Sequence, residues 1–191
     1  MLSNVVLLQC RTISMQEYPT VVVLDLDYTI WPCWCDTHVS MPFKPLSKSR
    51  VRDKYGEELS LYPEVESIIL ELADQGITVV GASRTATPKV AKELLSLFHV
   101  GGKPAIKYFS SLQWGQGSKT KHIMKAAKEL NLEDELRDGE FILFDDESRN
   151  KDVETIGCKF AYLPSQTVGL SRKHFEKGIN EWSTWRGRKK N

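Results

Sequence analysis

Carboxylates follow two of the most apolar segments of this sequence, and their spacing is typical of metal-assisted chemistry. Asp25 and Asp27 stand two residues apart after one apolar run, and Asp145 and Asp146 directly follow another. Two like charges about 4 Å apart, in an effective dielectric near 20, repel by on the order of 4 kcal/mol, so such a cluster needs a cation. Magnesium fits best, because it takes one or two carboxylates together with water and phosphate oxygens.

Three further side chains extend this set toward phosphate chemistry. Ser83 and Arg84 follow a third apolar run, and Lys119 stands at the start of a predicted helix. A lysine charge and a serine hydroxyl are the groups that phosphoryl oxygens need. Arg84 could grip a substrate phosphate or carboxylate as a two-pronged donor, or it could form a surface salt bridge.

Alternating strands and helices are predicted to position these residues. Short apolar, β-branched runs predict buried strands at Val21–Leu24, Ile77–Ala82 and Phe141–Phe144, with weaker candidates at Ala105–Phe109 and Phe160–Leu163. Helical patterns run from Pro63 to about Asp74, from Pro88 through Phe98, and after a Ser118 cap with Ile123, Met124, Ala127 and Leu130 on one face. This alternation predicts an α/β fold, a three-layer open parallel sheet with helices on both faces. Ligands bind such sheets at the carboxyl ends of the strands.

The remaining segments are predicted to be an insertion and two termini. Residues 31–61 contain several prolines and a Gly56 turn signal, which indicates a short β-flap without a large cap domain. We expect a main domain at 20–180, an N-terminal extension at 1–19 and a solvated basic tail at 181–191. The extension is flexible or, as a minority alternative, a mitochondrial targeting segment within residues 1–17.

The composition is ordinary for a soluble globular protein of one domain, which we expect to be a monomer. The 191 residues are 41% hydrophobic and 27% charged, and 26 basic residues nearly balance 25 acidic ones. This balance gives no reason to expect a nucleic-acid or membrane partner, and we expect a cytoplasmic location. The four cysteines, Cys10, Cys33, Cys35 and Cys158, are interpreted as free thiols in a reducing compartment.

The motifs resemble those of the haloacid dehalogenase superfamily. Its first motif, Asp-x-Asp-x-Thr, is matched by Asp25-Leu26-Asp27-Tyr28-Thr29, and the second, third and fourth motifs are matched by Ser83, Lys119 and Asp145-Asp146. The amino-acid sequence around these positions is similar to that of the magnesium-dependent phosphatase family, over about residues 20–165.

This resemblance implies a magnesium-dependent phosphatase with a phosphoaspartate intermediate on Asp25. The implied substrate is either protein phosphotyrosine or a small sugar phosphate. Asp27 is implied to protonate the leaving oxygen and to activate the hydrolytic water, and its backbone carbonyl to bind the metal. The implied catalytic residues are Asp25, Asp27, Ser83 and Lys119, the substrate-binding residues Leu26, Asp27, Ser83, Arg84 and Lys119, and the magnesium ligands Asp25, Asp27, Asp145 and Asp146.

Several alternatives stay open at this point. The aspartates could merely cap turns, or the chain could be a receiver-like phosphoacceptor domain or an inactive scaffold. Cys33-Trp34-Cys35, with Asp36 and His38, invites a zinc or redox interpretation. The cysteine spacing is short for zinc and a second ligand pair is missing, so structural thiols are favoured. His122 is expected on the surface. Trp31, Trp34 and Tyr28 could wall the substrate pocket.

Overall fold

The computed structural model describes residues 16–189 and builds them around a five-stranded parallel sheet. Its inner strands are apolar on both faces because helices cover both faces. The strands described are β1 (Val21–Leu24), β2 (Lys44–Pro45), β3 (Arg50–Arg52), β4 (Glu58–Ser60), β5 (Thr78–Ser83), β6 (His99–Val100), β7 (Lys103–Pro104), β8 (Phe109–Trp114), β9 (Phe141–Asp145) and β10 (Cys158–Tyr162). The α-helices described are α1 (Val65–Asp74), α2 (Pro88–Leu97), α3 (Lys119–Leu130), α4 (Glu133–Arg137) and α5 (Arg172–Lys189).

Strand β1 lies at the centre of the sheet, whose order is β10-β9-β1-β5-β8. Leu24 at the end of β1 is paired with Gly81 of β5 on one side and with Phe144 of β9 on the other. The three strands therefore end at nearly the same level, which brings the residues after them to one edge. The predicted parallel α/β sheet is confirmed.

Helices pack on both faces of this sheet, as predicted. Side chains alternate along β1, so Val22 faces a core built with α1, α2 and α5, while Val21 and Val23 face a second core built with α3 and α4. A 3₁₀ helix at Ser148–Ile156 completes the second core through its buried Val153. The sheet edge that carries the acidic residues is thus held from both sides.

The insertion after β1 forms a small antiparallel sheet of strands β2, β3 and β4. The buried side chains of Val51 and Leu59 join the same core as β1, so this flap packs onto the domain. The predicted short flap is confirmed, and the described residues contain no large cap domain. Within residues 16–189, no helix combines the length and apolar character that crossing a membrane requires.

One strand prediction is wrong. Ala105–Tyr108 form a 3₁₀ helix, and the strand, β8, begins only at Phe109 and runs to Trp114. Because β8 is an edge strand, half-buried and buried side chains alternate along much of it. It therefore lacks the continuous apolar run that marked the inner strands in the sequence.

The described part of the predicted basic tail at 181–191 is helical. Helix α5 continues through Lys189, because Trp182 is fully buried and donates from its indole nitrogen to the Gly139 carbonyl at 2.7 Å. Residues 1–15 of the predicted extension lie outside the described residues. Tyr18, within the remainder, donates to a Glu71 carboxylate oxygen at 2.6 Å, so this part of the extension is packed.

The orientation of α3 differs from the predicted apolar stripe. Met124 is 53% exposed, whereas His122, expected on the surface, is buried. Lys119 points inward at the first turn, and His122, Ile123 and Ala126 continue the same face. Burial, together with the nearby charges of Lys119, Arg84 and Lys125, lowers the pKa of His122 to about 4, so its imidazole is neutral near pH 7.

Candidate active site

A buried lysine joins the carboxylates at the carboxyl edge of the sheet. The ammonium of Lys119, at the start of α3, contacts the carboxylate of Asp25 and the Ala82 carbonyl, and lies 3.0 Å from Oδ2 of Asp145. All of these side chains are buried, as is that of Ser83 at the end of β5. The structure therefore brings together the predicted residues from β1, β5, α3 and β9.

Electrostatics in this cluster depend on its burial. Burial raises the pKa of Asp25; Lys119 opposes this effect, and the like charges of Asp145 and Asp27 add to it. Burial also disfavours the Lys119 charge, but the charges of Asp25 and Asp145 outweigh it and raise the pKa of Lys119. A further positive charge beside Asp25 would lower this pKa and favour the ionised carboxylate.

The carboxylates fit a magnesium ion. Asp25, Asp145 and Asp146 each offer an oxygen, and these oxygens lie within 4.8 Å of one another. Carboxylate oxygens are the ligands that magnesium takes in proteins, and one lysine cannot balance three acids. Asp27, also expected to bind the metal, does not contribute its carboxylate to this group, which is the only one of its kind among residues 16–189. The resemblance to the magnesium-dependent phosphatase family implies that Asp27 binds the metal through its backbone carbonyl instead.

Asp145 is held by donors on both of its oxygens. The Glu147 amide donates to Oδ1 at 2.8 Å, and the Asn150 side-chain amide lies 3.0 Å from Oδ1 and 2.9 Å from Oδ2. Asp146 accepts from Gln166 Nε2 at 3.2 Å. The sequence interpretation missed Asn150 and Gln166, since nothing in their local sequence separates them from other polar loop residues.

Asp27 is turned toward the insertion. Its Oδ1 accepts from the Trp31 indole nitrogen at 2.7 Å and from the Cys35 amide at 3.1 Å, and the Cys35 sulfur lies 3.7 Å from Oδ2. Burial raises the pKa of Asp27, and these hydrogen bonds oppose the rise. The prediction that Trp31 walls the pocket is wrong, because its ring is fully buried and it acts as a donor to Asp27.

A small cavity of about 130 Å³ opens above these residues. The exposed ring of Trp34 stands at its rim and meets the Tyr28 ring edge-on, with centroids 5.4 Å apart. Arg84 also lines it, with a guanidinium nitrogen 3.9 Å from Glu147. The side chain of Leu26 is buried, so only its backbone could meet a substrate. The full lining is Asp25, Asp27, Trp34, Asp36, Ser83, Arg84, Thr85, Lys119, Asp146, Glu147 and Arg149.

Curated relatives cover most of the chain. A Saccharomyces cerevisiae protein provisionally named a magnesium-dependent phosphatase is 41% identical over 85% of this chain and 96% of its own length. A Schizosaccharomyces pombe protein named as a member of the HAD-like hydrolase superfamily is 44% identical over 75% of this chain and 85% of its own length. Human magnesium-dependent phosphatase 1 is 34% identical over 88% of this chain and 90% of its own length.

The fold is also found among solved structures. A HAD-superfamily hydrolase from Ehrlichia chaffeensis aligns with a TM-score of 0.57 at 13% identity, over 87% of this chain and 98% of that one. At this identity the likeness concerns the fold alone. The sequence model of the family described as Acid Phosphatase matches residues 17–185, nearly the whole chain. With relatives above 30% identity along most of its length, the chain belongs to the Acid Phosphatase family, within the HAD-like hydrolase superfamily.

Proposed function

We propose that this protein is a magnesium-dependent phosphomonoester hydrolase that works through a phosphoaspartate on Asp25. The observation that carries the proposal is the convergence of buried Asp25, Asp145 and Lys119 with half-buried Asp146 in one cluster beneath an open cavity. The names of the yeast and human relatives, which include magnesium and phosphatase, support the same chemistry.

The metal site is built from the acidic residues. Asp25, Asp145 and the backbone carbonyl of Asp27 would hold magnesium, with Asp146 as a further ligand or as the group that orients its water. When bound, magnesium supplies the positive charge that offsets the carboxylates and the phosphoryl oxygens. Asn150 and the Glu147 amide hold Asp145 in place for this role.

The reaction proceeds by two displacements at phosphorus. In the first, a carboxylate oxygen of Asp25 bonds to phosphorus, the ester bond breaks, and Asp27 gives its proton to the leaving oxygen. In the second, Asp27 takes a proton from water, whose oxygen bonds to phosphorus. Inorganic phosphate leaves and the Asp25 carboxylate is restored. The raised pKa of Asp27, a consequence of its burial, suits a carboxyl group that must carry a proton.

Neighbouring groups hold the phosphoryl oxygens during both steps. The Lys119 ammonium, already beside Asp25, provides charge, and the Ser83 hydroxyl and the Leu26 backbone amide donate hydrogen bonds. Arg84 stands at the cavity lining, where it binds a phosphate oxygen or a second anionic group of the substrate.

The substrate is either protein phosphotyrosine or a small sugar phosphate. The described residues place no cap domain over the cavity, so the leaving group extends into solvent. The exposed Trp34 ring offers a flat apolar surface to that group.

A panel of phosphate esters, assayed with magnesium and with chelator, tests this proposal. The comparison uses the wild type, Asp25→Asn, and Asp138→Asn as a control, because Asp138 is an exposed carboxylate after α4. We expect turnover that requires magnesium, that falls by about four orders of magnitude or more in Asp25→Asn, and that is normal in Asp138→Asn. Metal-independent turnover, or an active Asp25→Asn variant, would overturn the proposal. A stable phosphoaspartate with negligible turnover would instead support a receiver-like function.

A further inference from the structure

The Cys35 thiol links the loop after β1 to the loop after β5 beneath the cavity. Its sulfur lies 3.7 Å from Oδ2 of Asp27 and 3.4 Å from Oγ1 of Thr85, and the residue is fully buried. Thr85 in turn donates its amide proton to the Ser83 hydroxyl oxygen at 3.2 Å. A single thiol therefore connects the proposed general acid with the residues that follow the second motif.

The two oxygens of Asp27 have different partners. Oδ1 is bonded to the Trp31 indole and the Cys35 amide, both good N–H donors. Among residues 16–189, the Cys35 thiol is the only donor within hydrogen-bonding distance of Oδ2. A thiol is a weak donor, so it orients this oxygen without competing strongly for its lone pairs. Oδ2 is consequently the oxygen that is free to carry a proton.

We infer that Cys35 is a positioning residue that aims Oδ2 of Asp27 at the leaving oxygen of the substrate. The inference rests on the proposed function, in which Asp27 supplies a proton to that oxygen. The competing explanation is that the Cys35 side chain only fills space in the core. A thiol behaves as a small apolar group for packing, so the two explanations separate when its volume is kept and its S–H is removed.

Cys35→Val makes this separation. Valine keeps the site filled with an apolar side chain, about one methyl group larger than the thiol, and keeps the backbone amide that donates to Oδ1, but it has no donor for Oδ2. Cys35→Ser restores a donor on a shorter side chain. Cys33→Val is the matched control, because Cys33 is a buried thiol of the same loop and no hydrogen bond joins its sulfur to another described residue.

The readout is the dependence of kcat/KM on the leaving group, because kcat/KM reports the first displacement, in which the ester bond breaks, and not the later hydrolysis that is common to both esters. An alkyl phosphate needs its leaving oxygen protonated, whereas p-nitrophenyl phosphate releases a stable phenolate and needs this much less. For Cys35→Val we expect kcat/KM on the alkyl ester to fall about threefold to tenfold, the rate equivalent of one hydrogen bond. On the nitrophenyl ester we expect the fall for Cys35→Val to stay below about twofold. Cys35→Ser should recover most of the loss on the alkyl ester. Cys33→Val should match the wild type on both esters.

Equal losses of kcat/KM on both esters in a folded Cys35→Val variant, or a Cys35→Ser variant no better than Cys35→Val, would overturn the inference. In the background of Asp27→Asn, which has no proton to deliver, Cys35→Val should cause no further loss; an additional loss would also overturn it. These failures leave the proposed function intact when the wild type turns over with magnesium and Asp25→Asn does not. Lack of turnover by the wild type would overturn both.

Discussion

Asp145 and Asp27 sit at the ends of neighbouring strands but in different surroundings. Asp145 is fully buried, and its oxygens contact Lys119, Asn150 and the Glu147 amide. Asp27 is half-buried, faces the insertion, and has one oxygen whose hydrogen-bonding partner, within residues 16–189, is a thiol alone. One carboxylate is thus fixed and charge-compensated, while the other keeps an oxygen with a weak partner.

The difference teaches how one sheet edge can serve two chemical tasks. A carboxylate with strong donors on both oxygens is held in one orientation, which suits a metal ligand. A carboxyl group with a raised pKa and a weakly bonded oxygen can give and take a proton. The core strands supply the first kind of residue, and the loop that follows β1 supplies the second.

Asp27→Asn removes the group that transfers the proton, and its expected effect on kcat is the largest of the changes considered. Asparagine keeps the backbone carbonyl but cannot donate the proton, so we expect kcat on alkyl phosphates to fall by about 10²- to 10⁴-fold. Magnesium affinity, measured by calorimetry, should stay within about twofold of the wild type, because the carboxylate is not a proposed ligand. Asp145→Asn is the contrasting variant, with weakened magnesium binding. Equal magnesium affinities in these two variants would contradict the division of tasks.

Asn150→Ala removes the side chain that holds the proposed metal ligand Asp145 in place. Its buried amide contacts both oxygens of Asp145, so its removal should weaken magnesium binding by about 10- to 100-fold. Loss of a buried partner should also lower the free energy of unfolding by about 1–3 kcal/mol in denaturant titrations. Asn180→Ala, at an exposed position on α5, is the control and should change neither quantity. Unchanged magnesium affinity in Asn150→Ala would count against a positioning role for Asn150.

Trp34→Ala removes an aromatic ring from the rim of the cavity, and its expected effect on activity is the smallest. The ring is 48% exposed but packs edge-on against Tyr28, so the free energy of unfolding should fall by about 0.5–1.5 kcal/mol. The ratio of kcat/KM for aryl over alkyl phosphates should fall by about twofold to tenfold, as for loss of one aromatic contact. Tyr55→Ala, at an exposed aromatic on the flap, should leave the ratio unchanged. An identical ratio before and after Trp34→Ala would contradict a substrate contact.

The part of the site that lies on strands was predictable, and the part that depends on loop conformation was not. A continuous apolar run such as Val21–Leu24 predicts both a buried strand and the edge at which Asp25 emerges. The half-exposed β8 lacks such a run. Contacts such as Gln166 with Asp146, twenty residues apart, form only after the intervening chain has folded back. The inward direction of the Trp31 indole likewise depends on packing that no local pattern records.

Trapping the covalent intermediate tests the central claim most directly. The wild type and the slower Asp27→Asn variant are mixed with a phosphate ester and magnesium, quenched in acid within milliseconds to seconds, and digested for mass spectrometry. We expect a phosphoryl group on the peptide that contains Asp25, formed only with magnesium and absent from Asp25→Asn. A phosphoryl group on another residue, or turnover without any labelled peptide, would contradict a mechanism through Asp25.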